Sequence, residues 1–296
     1  MGDPLLARFE ARGMTAITRR GAVAGAIAAA FLPSGAIGRG LDKIAAEGVI
    51  RIAVYRDFEP WSWKGRDGAV TGIDVDLGRA IAEALGARAQ IVDFMADEDV
   101  GDDLRNMVWR GSLVGGQTCD IMMHVPVDRT LARANDRAVI GAPYYREGFL
   151  MACGPDVDCE VAPPALKGKR LVAELDSVPD FYFSGSFGGV LRGDTRHLMS
   201  GAAAVEEVKA GTADVVLATR AQVEHALAGG AATVKARKGP LPALPSAGWD
   251  VGLAVKDDSR DLADRLEQVV TGLRADGTVE TILRRYGVSP RPPLAT

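Results

Sequence analysis

The chain has 296 residues, 47% of them hydrophobic, and 35 Lys and Arg against 39 Asp and Glu give a formal net charge of -4. That length supports one large or two medium domains with proper cores. Charges of both signs are mixed along the chain with no basic tract, which excludes nucleic acid as an expected partner and leaves small molecules or proteins.

The N-terminal stretch "ARGMTAITRRGAVAGAIAAAFLPSGAIG" carries Arg12, Arg19 and Arg20 ahead of an apolar run from Ala22 to Leu32. A basic head, an apolar centre and small residues predict a secretion signal or disordered leader over 1–38, and "TRRG" points to the twin-arginine route. Met14 is an alternative start, and cleavage fits after Ala30 or Ala36. The apolar run is too short to span a membrane comfortably, and no second candidate follows. The mature protein is therefore expected to be soluble and exported, without a membrane span.

"GVIRIAVYRDF" then reads as a strand, with Ile50, Ile52 and Val54 alternating. "EPWSWKGRDGAVTG" reads as turns. "IDVDLGRAIAEALGA" places Ile73, Leu77, Ile81 and Leu85 on one helical face, and Gly86 ends it. Asp74, in the acidic start of that helix, reads as its N-cap. "RAQIVDFM" is a strand, "DDLRNMVWRGSLVGG" a helix and "CDIMM" a strand. This alternation predicts an α/β fold with mostly parallel sheets flanked by helices.

Beyond "APYYREGFLMACG", "LKGKRLVAEL" is a strand and "DSVPDFYFSGSFGG" a loop or helix start. "GAAAVEEVKAGTADVVLATRAQVEHALAGG" is helix, strand, helix. A Pro-rich stretch precedes "WDVGLAV", a strand, and two amphipathic helices. Two lobes are expected: 49–143 plus 249–288, and 144–248, with "GFLMAC" and "WDVGLAV" crossing between them and 289–296 as a tail. A single doubly wound domain is the alternative.

Cys153 and Cys159 flank the turn-rich "GPDVD", so a local disulfide fits an oxidising compartment; three free thiols are the other reading. Cys119 reads as a buried thiol. There is no CxxC, and His124, His197 and His225 are scattered, so neither metal nor cofactor is expected.

Four stretches, "RIAVYRDFEPWSWKGRDGAVTGIDVDLGRAIAEALG", "GQTCDIMMHVPVDRTLARANDRAVIGAPYYREG", "LKGKRLVAEL" and "DGTVETILRRYG", together resemble periplasmic solute-binding proteins of the amino-acid-binding class, the type II two-lobed fold. The likeness spans about residues 49–288. "DLRNMVW", "DIMMHVPVD" and "APYYREG" also look like the branch that accompanies quinoprotein alcohol dehydrogenases, including accessory proteins of methanol oxidation.

The resemblance implies that Arg129, after Asp128, grips a ligand carboxylate; a surface arginine is the alternative. Its usual threonines are replaced by His124 and Pro126, and Pro126 has no N–H to donate. His124 reads equally as a ligand contact or as a structural histidine. In the second lobe Asp176 and Ser177 stand where a Gly-Thr pair is usual. Thr219 stands where an aspartate usually takes the ligand ammonium. Tyr55, Phe58 and Trp61 are candidates for one aromatic wall, and Phe181, Tyr182, Phe183 and Phe187 for another. Trp63 reads as a surface residue, and Tyr144 and Tyr145 as hinge packing.

No GxSxG, HExxH or phosphate loop is present, and catalysis is not expected. If there were an acid at work in the cleft, Glu59, Asp128 and Asp176 would be the candidates. The expected function is capture of a small carboxylate-bearing, polar or aromatic solute other than a standard amino acid, for a membrane ABC permease. The alternative is an accessory protein of a periplasmic PQQ-dependent (quinoprotein) dehydrogenase or its cytochrome.

Overall fold

The computed structural model describes residues 38–111, 116–230 and 233–294. The leader expected over 1–38 lies, Gly38 aside, outside them. Helix α1 (Leu41–Glu47) leads into strand β1 (Val49–Tyr55). A small meander follows: β2 (Asp57–Phe58) at the end of the predicted strand, then β3 (Ser62–Lys64) and β4 (Val70–Thr71) inside the stretch read as turns. Helix α2 (Ile73–Ala84) and β5 (Arg88–Phe94) follow. Helix α3 (Val100–Leu104) continues as a π-helical turn, Arg105–Trp109, before β6 (Ile121–Pro126), α4 (Arg129–Ala134), β7 (Ala138–Glu147) and β8 (Phe149–Cys153). Next come β9 (Leu171–Glu174), α5 (Val178–Gly185), β10 (Thr195–Leu198), α6 (Gly201–Lys209), β11 (Val215–Thr219), α7 (Arg220–Ala228) and β12 (Lys235–Ala236). The chain closes with β13 (Trp249–Lys256), α8 (Arg260–Ala275) and α9 (Thr278–Arg285).

These strands form two five-stranded sheets flanked by helices, a two-domain α/β fold. The first has the order β5-β1-β6-β13-β7 and the second β10-β9-β11-β8-β12. β1 runs parallel to β5 and β6, and β9 parallel to β10 and β11. The strands near the crossings are antiparallel: β13 to β6 and β7, β8 to β11 and β12. Each sheet is thus parallel on one side and antiparallel on the other, a mixed pattern common where a chain re-enters a sheet. Only Gly148 separates β7 in the first sheet from β8 in the second.

Helix α2 buries Ile73, Leu77 and Ile81 against the first sheet, the face that its apolar period predicts. Each such side chain contributes about 1.5–3 kcal/mol on burial. Leu85 packs at the edge, and Gly86 takes a left-handed φ of 68° past the helix end. Tyr144 and Tyr145 are fully buried in the same core.

In the second sheet Cys153, ending β8, is joined to Cys159 with Cα atoms 5.6 Å apart. Cys119 is a buried free thiol, pushed up to about 12 by burial first and then by Asp120.

The tail from Ser289 has no core-forming pattern, yet its backbone is tied down as far as Leu294. The Ser289 N–H donates to Glu224 on α7 (2.7 Å), and the Arg291 carbonyl accepts from the Arg146 N–H (2.9 Å). The Leu294 N–H donates to the Asp250 carboxylate (3.0 Å). The chain end therefore straps the crossing strands to α7.

Candidate functional site

In open α/β sheets, ligands bind beyond the carboxyl ends of parallel strands. A cavity of about 560 Å³ lies there. Tyr55 ends β1, Met95 follows β5, and His124 and Pro126 end β6. Glu174 ends β9 of the second sheet, and Trp249 begins the returning strand β13. Phe58 of β2 completes an aromatic wall. Strands from both sheets thus frame one opening.

His124 sits at the base of this wall, 7% exposed and with a left-handed φ of 62°. A side-chain-bearing residue holds that conformation only when its neighbours fix it, at about 1–3 kcal/mol. Here its N–H donates to the Tyr144 hydroxyl (3.2 Å), which donates to Asp74 Oδ1 (2.6 Å). Its Nδ1 lies 3.2 Å from Asp74 Oδ2, without the alignment of a hydrogen bond. The Phe58 ring meets His124 edge-on at 4.9 Å, and Trp61 lies 4.5 Å away.

Asp74 is therefore not the N-cap that its position suggested. Gly72 holds the cap position with φ 135°, and a Cβ there would collide with the Trp61 carbonyl. Two residues on, within the first turn, Asp74 is fully buried, bonded by Tyr144 and beside His124. A burial of that kind requires such partners.

Tyr55 lines the cavity, and its hydroxyl donates to Asp103 Oδ2 at 2.8 Å. Burial, and then the Asp103 charge, push the Tyr55 phenol far up. Burial raises the Asp103 carboxyl too, opposed by the N–H of Asp97 and by Tyr55. Glu174 is raised by burial and held down by the Gly201 N–H.

The other sequence candidates lie elsewhere. Trp61 is fully buried behind His124 and Phe58, so it backs the wall rather than lining it. Arg129 is exposed in the first turn of α4 and outside the cavity lining, while Asp128 caps that helix through the N–H groups of Thr130 and Leu131 (both 2.8 Å). The Ser177 hydroxyl donates to the Glu174 carbonyl (2.6 Å) and accepts from the Asp180 N–H (3.2 Å), capping α5. Thr219 caps α7 in a reciprocal capping box with Gln222. Asp176 is exposed with φ 58°, its N–H on Asp180.

Tyr182 and Phe183 are core residues, and Phe181 is exposed. Trp63 is half-buried between His225 and Tyr286, not a free surface ring.

The lining residues that sequence reasoning missed include Arg56, Asp57, Met95, the acidic run Asp97, Glu98 and Asp99, Asp103, Glu174 and Trp249. A signal was present: "ADED" directly follows the predicted strand "RAQIVDFM", where a loop meets the carboxyl edge of the sheet. Among the described residues no group of His, Cys, Asp and Glu is placed to hold a metal ion, and no helix is long and apolar enough to cross a membrane.

Known proteins resemble this chain at three levels. A profile of bacterial extracellular solute-binding proteins, family 3, matches residues 50–106. The L-arginine-binding protein of Pseudomonas aeruginosa is 26% identical over 257 residues, 83% of this chain and 90% of that protein. The cyclohexadienyl dehydratase of the same organism is 40% identical over 52 residues, which spans only 18% of this chain and 19% of that enzyme. An ancestral cationic amino acid solute binding protein superposes with a TM-score of 0.66 at 18% identity, over 83% of this chain and 99% of the other. The chain has the fold of the type II periplasmic amino-acid-binding proteins.

Proposed function

We propose that the chain is an extracytoplasmic solute-binding protein that captures a small molecule between its two α/β lobes. The observation that carries this reading is the cavity framed by strand ends of both sheets, with Tyr55, Phe58 and Trp249 around the fixed ring of His124. Closure of two lobes over such a site removes water and strengthens each polar contact to the solute. The arginine-binding and cationic-amino-acid-binding relatives support the class of function. The Cys153–Cys159 bridge suits the oxidising periplasm.

Binding rather than catalysis is the role: the extensive likenesses are to binding proteins, and the dehydratase match is confined to a fifth of that enzyme. The aromatic wall suits a solute with an apolar or planar part. Arg129, outside the lining, gives no support to the carboxylate grip that the resemblance implied.

Delivery to a membrane ABC permease is the downstream step we propose. The narrower reading, service to a PQQ-dependent dehydrogenase, rests on short sequence stretches alone and draws nothing from the relatives.

Calorimetry against a panel of amines, sugars, organic acids and common amino acids tests the function. The expected result is saturable one-to-one binding of some solute, lost in Phe58→Ala, with common amino acids weaker than about 1 μM. Absence of saturable binding to any solute, together with specific capture of a dehydrogenase from periplasm, would contradict it.

A further inference from the structure

Resting on that reading of the cleft, we propose that its solute is an organic cation without a free carboxylate: an amine, guanidine or quaternary ammonium on an apolar or aromatic body. The lining holds the carboxylates of Asp57, Asp97, Glu98, Asp99, Asp103 and Glu174 against one guanidinium, Arg56. That guanidinium is taken by Asp93 (Nε to Oδ2 2.7 Å), which Lys64 also meets at 3.1 Å. Among the described residues Arg56 is engaged through Nε alone, so the lining sets one partly committed guanidinium against six carboxylates.

The carboxylates differ in what they already hold. Asp97 accepts from the Glu98 N–H and Asn106, Asp99 caps α3, and Asp103 accepts from Tyr55 and the Asp97 N–H. Among the described residues nothing engages the side chains of Asp57 and Glu98. Glu174 gives one oxygen to the Gly201 N–H (2.9 Å), leaving the other. These three are the groups that can meet a cation, two from the first lobe and one from the second.

An acidic cluster alone is usually a solvated face, but this one surrounds a buried acceptor. His124 lines the same cavity with Nδ1 turned to Asp74 and sealed from water. The ring's Nε2 takes no hydrogen bond among the described residues, and with a proton on Nδ1 toward Asp74 it accepts an ammonium or guanidinium N–H. The π-faces of Phe58 and Trp249 favour a cation with an apolar body. Pro126 at the cavity edge has no N–H to offer an anion. Burial raises the Asp103 and Glu174 carboxyls above their usual range, and a bound cation reverses that cause.

Calorimetry on the full chain with matched probes tests the proposal. Phenethylamine is compared with L-phenylalanine and agmatine with L-arginine, each pair differing by one carboxylate, and 3-phenylpropionate serves as the anion. The expected result is an amine binding roughly tenfold or more tighter than its amino acid, the value of one charge-assisted contact. Added salt weakens that binding. Glu174→Gln, which keeps an acceptor for the Gly201 N–H, and Asp57→Asn each lower it at least severalfold with an unchanged melting temperature.

An amino acid or 3-phenylpropionate binding as tightly as the amines overturns the cation proposal and leaves the cleft a solute site. So does amine binding that both variants leave untouched. Binding of none of these probes overturns the proposal as stated. If the broader solute panel also fails, the solute-site reading falls with it.

Discussion

His225 on α7 joins the second lobe to the first: its Nε2 lies 3.1 Å from Glu59 Oε1, and its Nδ1 lies 2.6 Å from the Tyr286 carbonyl oxygen. Both partners are acceptors, so both ring nitrogens donate only as the imidazolium. The Glu59 hydrogen bond is the main cause that raises the His225 pKa, with Tyr286 adding and burial and Lys209 opposing. Glu206 beside Lys209, Glu224 on the same helix, and Arg285 with its partner Asp76 complete the local charges.

A raised histidine stabilises the fold fully below its unfolded value of about 6.5, and that contribution is lost as pH rises through the folded pKa. The expected size is on the order of 1 kcal/mol or less, because Glu59 is 42% exposed. Thermal melts of wild type and His225→Gln should differ more near pH 5.5 than near pH 9. An equal gap at both would remove the imidazolium from the account. Phe58, next to Glu59, meets the His124 ring edge-on, so the clasp also steadies the cleft wall.

Glu147 ends β7 at the crossing, and burial pushes its carboxyl up to about 8 against the N–H of Gly148 (2.8 Å) and of Ala221. The folded state therefore binds a proton that the unfolded chain releases near 4.3. Stability should fall as pH rises between those values. Glu147→Gln is expected to flatten that fall in chemical denaturation at several pH values, and an unchanged slope would contradict the buried acid.

Tyr144→Phe removes the donor to Asp74 and the acceptor for the His124 N–H. It leaves a fully buried carboxylate short of a partner, at about 2–3 kcal/mol. Urea unfolding should show that loss, and solute affinity should fall with it because His124 is no longer held. A neutral substitution would mean that Asp74 is satisfied by other means.

Thr219→Ala and Ser177→Ala should each cost about 1 kcal/mol of stability as lost helix caps. Solute affinity should stay within about twofold in both. A tenfold loss of affinity at either position would return these hydroxyls to the ligand site that the resemblance implied.

The outline of the fold was readable because it follows periodicity: Ile73, Leu77 and Ile81 mark the buried face of α2, and β1, β5 and β6 alternate with helices. The site was readable only in part. His124 and Tyr55 stand at strand ends, which the pattern marks. Glu174 and Trp249 reach the cavity through topology, from another sheet and a returning strand, and no local spacing reveals that. Asp74 was misread because its N-terminal helix position matches a cap, whereas Gly72 had already turned the chain. Ser177 and Thr219 occupy positions that suit ligand binding and capping alike, and in this structure local backbone N–H groups take them.

Native mass spectrometry after incubation with a small-metabolite extract tests the central claim most directly. The account predicts that wild type retains one small cation per chain, and that Phe58→Ala and Glu174→Gln release it. Retention of the same molecule by both variants, or of no small molecule by wild type, would contradict it.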